Sequence, residues 1–371
     1  MRLSWTIPAL LTVATAATPL DAQAPPPSAT YWVYVGAESA DLLHLVRFGP
    51  DGARVEKTIP VGEMPVETEG PHGLRMSKDG RYLYMTTGHG IPDGKLWKIE
   101  TGVDTVIGNP ILLGRFPATI DLTPDDLYAF VVNFNLHGER EPSSISVVYT
   151  PDLMEVTQTV TCTQPHGGRM HPMGTKWFTN CIVDDQLVEI DTQTFEIARR
   201  FSVAVDHEGP LDHFDVENYT PNTPTCSPTW AVATPTGDRI FVACNRADHI
   251  LEIDYEDWTL LRRIQTGRGP YNLAITPDGK ILVSTLKQGG GVQFFDVASG
   301  KSHAIVESST TITHGVVISP DSRYAFVSVE GVGAEPGKVD IFDLRTFERV
   351  ADVPVAQQAG GIAFWKMEKA R

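Results

Sequence analysis

Residues 71–88, PHGLRMSKDGRYLYMTTG, followed at 94–100 by GKLWKIE, decide the fold. An apolar stretch meets a Lys-Asp-Gly turn, a second stretch rich in aromatic and small polar β-formers follows, and a third ends on an acidic residue. Short antiparallel strands joined by tight turns read this way. The unit recurs as SPTWAVATPTGDRIFVACN at 227–245 with HILEID at 249–254, as GPYNLAITPDGKILVSTLK at 269–287 with GVQFFDV at 291–297, and as THGVVISPDSRYAFVSVE at 313–330 with KVDIFDL at 338–344. A fourth strand leads from each copy into the next, which is the pattern of propeller blades and not of a helical solenoid.

Working outward, first strands start near His72, Ala118, His166, Thr229, Tyr271, His314 and Gly360, most of them about 42 to 48 residues apart. Seven starts imply seven blades. The last start has only GGIAFWK (360–366) before the chain ends, whereas YWVYVG (31–36), LLHLVRF (42–48) and RVEKTIPV (54–61) lack a first partner. Joined, these ends complete one blade, close the ring and protect its edges. The sequence thus predicts an all-β chain, a single seven-bladed β-propeller over 31–368, its N-terminal strands closing the ring against the C-terminal strand. Trp97, Trp177, Trp230, Trp258 and Phe294 fall on strands and are expected to pack between blades. The aspartates of the Lys78-Asp79-Gly80, Pro124-Asp125-Asp126, Pro277-Asp278-Gly279 and Pro320-Asp321-Ser322 segments serve turns, not catalysis.

Ahead of the repeats, Arg2 and an apolar run from Trp5 to Ala16 lead to Ala22-Gln23-Ala24, which fits a secretory signal over 1–24 followed by a flexible leader at 25–30. A periplasmic or secreted protein without a membrane span is the expectation. Of 371 residues, 30 are Lys or Arg against 46 Asp or Glu, a formal charge of -16. That acidity disfavours phosphate backbones, and no basic aromatic-rich groove points to nucleic acid. Four cysteines allow three pairings; in an oxidising compartment Cys162 with Cys181 and Cys226 with Cys244 is the preferred pattern, each pair taken to bracket two strands of one repeat.

Three copies carry histidine at the same repeat position: His72, His166 and His314, in blades one, three and six. A closed ring brings them from three directions into one funnel. Three neutral imidazoles suit a divalent transition metal (copper, zinc or iron) with a coordination position left for water or substrate. A histidine opening a strand also serves simply to tie loops, with the following glycine admitting close backbone packing. On the same face, Glu38 and Glu330 occupy nearly matching exits, with His89, His137, Asn245 and Lys287 nearby. Glu330, Glu38 and His89 are candidates for proton transfer or ligand orientation.

The interval from His166 to Thr229 is longer, about 63 residues, and its excess lies at 206–225. This segment is expected on the histidine face as a loop over the mouth, with His213, flanked by Leu211 and Phe214, as a further catalytic candidate. Arg75 and Arg169 follow His72 and His166 by three residues and suit either ion pairs between blades or an anion lower in the funnel. His171 belongs to an opposite turn, and His44 and His303 to surface or packing positions.

The quoted copies at 71–88, 269–285 and 313–330 resemble the YVTN-type bacterial β-propeller superfamily, with its surface-layer-like, lactonase-like and periplasmic members, over nearly all of the predicted propeller. Similarity to its copper enzymes or to zinc-containing amidating lyases implies His72, His166 and His314 as metal ligands; similarity to propeller lactonases implies a pocket of His, Glu, Asn and Arg. The leading expectation is a metal-binding propeller, a metalloenzyme acting on a small molecule at the three-histidine centre. The alternatives are a non-catalytic propeller binding a ligand or envelope protein, and a metal-independent lactonase.

Overall fold

The computed structural model describes residues 26–64, 66–89 and 93–369. The expected signal at 1–24 lies outside these residues. Seven antiparallel sheets surround one axis, and their innermost strands open at Pro71, Pro117, Arg169, Pro228, Pro270, Thr313 and Ala359. Six of the seven strands begin within a residue of the start read from the sequence. In blade three regular pairing begins later, at Arg169–Met170, with Pro165 making an isolated bridge to Cys181 ahead of it.

Blade seven is the closure. Ala359–Lys369 lies innermost and pairs with Ala29–Ala37, followed outward by Leu42–Gly49 and Gly52–Pro60. The first strand thus takes in Ala29 and Thr30, the end of the expected leader. Sequence explains the layering. Middle strands such as Tyr128–Asn133 and Tyr324–Val329 are buried on both faces and read as nearly unbroken apolar runs, whereas outermost strands such as Thr259–Gln265 alternate between exposed and half-buried or buried positions.

Seven apolar clusters fill the gaps between neighbouring blades. Trp97, Trp177, Trp230, Trp258 and Phe294 are all buried, as blade packing requires. Each large side chain removed from water in this way contributes about 1.5–3 kcal/mol. Both expected disulfides form, but they do different work. Cys162 closes the outermost strand of blade two, Met154–Thr163, so its bond to Cys181 on the second strand of blade three ties two blades together. Cys226 precedes the first strand of blade four and reaches Cys244 on its second, staying within one repeat.

The 206–225 segment ends on the face of the mouth, tied to the loop after Cys181, but none of it lines the histidine cavity. Gly209–Leu211 pairs with Ile197–Ser202 as a fifth, outermost strand of blade three. Its neighbours anchor outward too: Glu208 and Asp206 bind Arg263 of blade four, and Phe214 lies under the Arg200 guanidinium. Tyr219 and Thr225 then hydrogen-bond Asp184 and Asp185 in the loop after Cys181, leading the chain back to blade four.

Candidate functional site

A backbone irregularity aims the histidines. In blades one, five and six the register of the innermost strand shifts between Pro71 and Leu74, Pro270 and Leu273, and Thr313 and Val316. A hydroxyl of the second strand takes the freed amide in each case: Thr86 for Gly73, Thr285 for Asn272 and Ser328 for Gly315. Such bulges re-aim a side chain, here His72, Tyr271 and His314, toward the axis. The glycine after the histidine has its own reason. A Cβ on Gly73 would lie 2.8 Å from the carbonyl oxygen of Ala118 in the next blade. Gly167 is tighter still, and its amide donates to the Thr229 carbonyl at 2.9 Å.

These side chains line a cavity of about 450 Å³ at one end of the ring, together with Glu38, His89, Lys287 and Glu330. A cavity of that size suits a small molecule. Of the residues expected at the site, His72, His166, His314, Glu38, His89 and Glu330 are therefore brought together. His213 is not: it is exposed in the segment after the added outer strand, and none of 206–225 lines this cavity. His137 is exposed, its ring 5.7 Å from that of His89. Asn245 lines the wall.

The pocket has two polar halves. In one, Glu38, carried on a short 3-10 turn after the strand Ala29–Ala37, is buried. Its Oε2 accepts from His89 Nε2 at 2.7 Å and Gln358 Nε2 at 3.0 Å. His72 Nδ1 stands 3.3 Å from Oε1 but is not aligned for a hydrogen bond, and it has no other partner among the described residues. Burial acts to raise the Glu38 carboxyl, yet the facing His72 and His89 rings and the Lys287 ammonium hold it below its ordinary value.

In the other half, the Tyr271 hydroxyl lies 3.0 Å from His166 Nε2 and 3.2 Å from His314 Nε2. The tautomers follow from the contacts. His166 Nδ1 donates to the Thr229 carbonyl at 2.9 Å, so its Nε2 accepts the phenol proton, and the phenol oxygen is free to accept from His314 Nε2. Burial keeps all three imidazoles neutral: it lowers His72 against the pull of Glu38, takes His166 down to about 3 and holds His314 well below its usual value. Burial likewise pushes the Tyr271 phenol up to about 12. Lys287 sits 4.3 Å from the Tyr271 ring centre and 2.9 Å from Glu330 Oε1. Burial opposes its charge, but Tyr271, Glu330 and Glu38 hold its pKa above the usual value; Glu330 is raised, chiefly by burial.

The arrangement offers a carboxylate-oriented imidazole, a neutral phenol, an ammonium and a second carboxyl around one cavity. It can hold a polar molecule by several hydrogen bonds and exchange protons with it. As direct metal ligands the three histidines are less well disposed. The Tyr271 hydroxyl already takes up Nε2 of both His166 and His314. Among the described residues no three His, Cys, Asp or Glu side chains form a group that could hold one metal ion. Sequence reasoning passed over Tyr271 and Gln358. For Tyr271 the signal was present, since it occupies the repeat position of the histidines.

No protein-family model matches the chain, and no curated protein does. Solved structures do resemble it. Hydrazine synthase of Kuenenia stuttgartiensis superposes with a TM-score of 0.63 at 18% identity, over 82% of this chain and 92% of that one. A functionally unknown protein from Desulfotomaculum acetoxidans DSM 771 gives 0.66 at 17% identity, over 90% and 98%. At such identities the likeness establishes the class, a seven-bladed β-propeller. It carries no activity across. Among the described residues no helix is long and apolar enough to cross a membrane.

Proposed function

We propose that this propeller binds a small polar molecule in the histidine-lined mouth of its channel and needs no metal to do so. The observation that carries this reading is the Tyr271 hydroxyl, which engages Nε2 of His314 and the one nitrogen of His166 that the Thr229 carbonyl does not hold. The cavity beside it stays open and polar, with Lys287 as donor and Glu38, Glu330 and the second ring nitrogen of His89 as acceptors. A metal-independent ring opening of a lactone would draw its base from the Glu38–His89 pair, in which the carboxylate orients the imidazole. Secretion or a periplasmic location fits two disulfides among the four cysteines.

A second reading keeps copper, zinc or iron on His72, His166 and His314. It is favoured by the burial that lowers the pKa of all three rings and by Nδ1 atoms of His72 and His314 that have no partner among the described residues. Elemental analysis of the purified protein, joined to a small-molecule thermal-shift screen before and after chelation, separates the two. The binding reading expects hits that survive chelation and weaken in Glu38→Gln and Lys287→Met. Near-stoichiometric metal, lost in each of the three histidine-to-alanine variants and needed for every hit, would overturn it.

A further inference from the structure

Below the histidines the channel narrows to a throat of about 40 Å³, bounded by His72 and His314 on one side and reaching Arg169. Beyond it two cavities of about 250 and 360 Å³ open toward the other end of the ring, and both are lined by Arg169 and Arg75. One guanidinium therefore borders all three spaces. It is also poorly compensated. Arg169 Nη1 donates to the Gly168 carbonyl at 3.0 Å and its guanidinium carbon lies 4.6 Å from the Trp230 ring centre, but among the described residues it makes no ion pair. Desolvation takes it down to about 10, with Asp121 acting only at a distance.

Asp121 is committed elsewhere. Its Oδ1 holds Arg75 Nε at 2.7 Å and the Leu122 amide at 2.9 Å, while Oδ2 accepts the Met170 amide at 2.7 Å. Asp121 fixes Arg75 at the cavity wall through Nε, and among the described residues the outer nitrogens of its fork have no ion-pair partner. Arg75, Arg169 and Lys78 against Asp121 and Asp126 leave one net positive charge around these cavities, in a protein whose formal charge is -16. A desolvated guanidinium without a counter-ion is costly, and a planar fork stacked on an indole face presents its edge to a planar two-oxygen acceptor.

We propose that this end of the channel is a binding site for a small carboxylate anion, held by Arg169 with Arg75 as second donor. The site is distinct from the mouth pocket and stands or falls independently of it. Sodium malonate and sodium acetate, titrated calorimetrically into the full chain at low ionic strength, test it. Malonate should bind saturably at one site and more tightly than acetate, because it reaches both guanidinium groups. Arg169→Met should weaken it at least about thirtyfold, as expected when one partner of a buried charge pair is removed. Arg75→Met should weaken it less. Arg169→Lys, which keeps the charge and loses the fork, should fall between wild type and Arg169→Met, and carries the test with Arg75→Met if the methionine variant does not fold. No saturable malonate binding, or full affinity in both Arg169→Lys and Arg75→Met, overturns the proposal. So does tighter binding of inorganic phosphate than of malonate, or a loss in Glu38→Gln as large as in Arg169→Met, which would put the anion in the mouth.

Discussion

The hydroxyl of Tyr271 lies 3.0 Å from Nε2 of His166, two blades away around the ring. It also lies 3.2 Å from Nε2 of His314, so one hydroxyl takes up a ring nitrogen of each of two buried histidines. Tyr271→Phe leaves both Nε2 atoms without that partner, so urea unfolding should show a loss of about 1–3 kcal/mol. The same change frees the nitrogens for a metal. Zinc, titrated against a chromophoric chelator, should bind Tyr271→Phe more tightly than wild type; weaker binding would make Tyr271 itself a ligand and favour the metal reading.

The buried imidazoles set a pH dependence. His166 ionises at about 3 in the folded chain, against an ordinary value near 6.5, because burial disfavours its charge. Above the ordinary value it is neutral in both states and costs nothing. As pH falls from there toward 3, the unfolded chain takes up a proton that the native chain refuses, so stability is lost across that window. The slope is about 1.4 kcal/mol per pH unit for one group once the unfolded form is fully charged. Urea midpoints between pH 6.5 and 4.5 should therefore fall less steeply in His166→Gln than in wild type. Comparing the two cancels the opposite contribution of Glu330, whose raised pKa favours the native state at low pH.

What the sequence disclosed follows from which forces are local. Strand, turn and strand in 71–88 are decided by neighbours a few residues apart, and the orphan strands at 31–61 had only one place to pair, against 360–366. The three histidines were legible because their repeat position recurs, and Glu38, Glu330 and His89 because they sit at matching exits. Tyr271 is visible at the same repeat position, but its role depends on where the phenol oxygen falls between residues of two other blades. The outward course of 206–225 was hidden for a similar reason. The three-residue strand Gly209–Leu211 owes its existence to the unpaired edge of Ile197–Ser202, and Leu211 and Phe214 signal an anchored segment without saying to which surface.

The disulfide between blades should matter to the whole ring. Cys162–Cys181 spans 19 residues of sequence and joins the outer strand of blade two to the second strand of blade three. Closing a loop of this order restricts the unfolded chain by about 3 kcal/mol. Cys162→Ser paired with Cys181→Ser should lower the urea-derived stability by that order, and reducing agent should then add only the effect of Cys226–Cys244. A double variant as stable as wild type would mean that the apolar cluster around Val132, Trp177 and Val188 holds the two blades unaided.

Ring closure makes the strongest demand on a single segment. Ala359–Lys369 is the innermost strand of blade seven and pairs along Ala29–Ala37, while Ile362 packs into the cluster that Tyr31, Val33 and Val35 share with Phe326 of blade six. Deleting 359–371 leaves Ala29–Ala37 with an open edge and removes the innermost strand, so both neighbouring blades lose apolar cover at once. Exposed apolar strand edges pair with other chains. The deletion should give aggregated protein without the native thermal transition, read by light scattering and circular dichroism. A shorter cut at 368–371 removes only the outermost pairs, with Ala29 and Thr30, and should keep the transition within a few degrees. Supplying residues 359–369 as a peptide during refolding of the longer deletion should restore a soluble fraction, since the missing strand has a ready edge to meet. A longer deletion that folds as well as the shorter one would show that six blades and an incomplete seventh suffice, and that closure by the two chain ends is not what holds the ring.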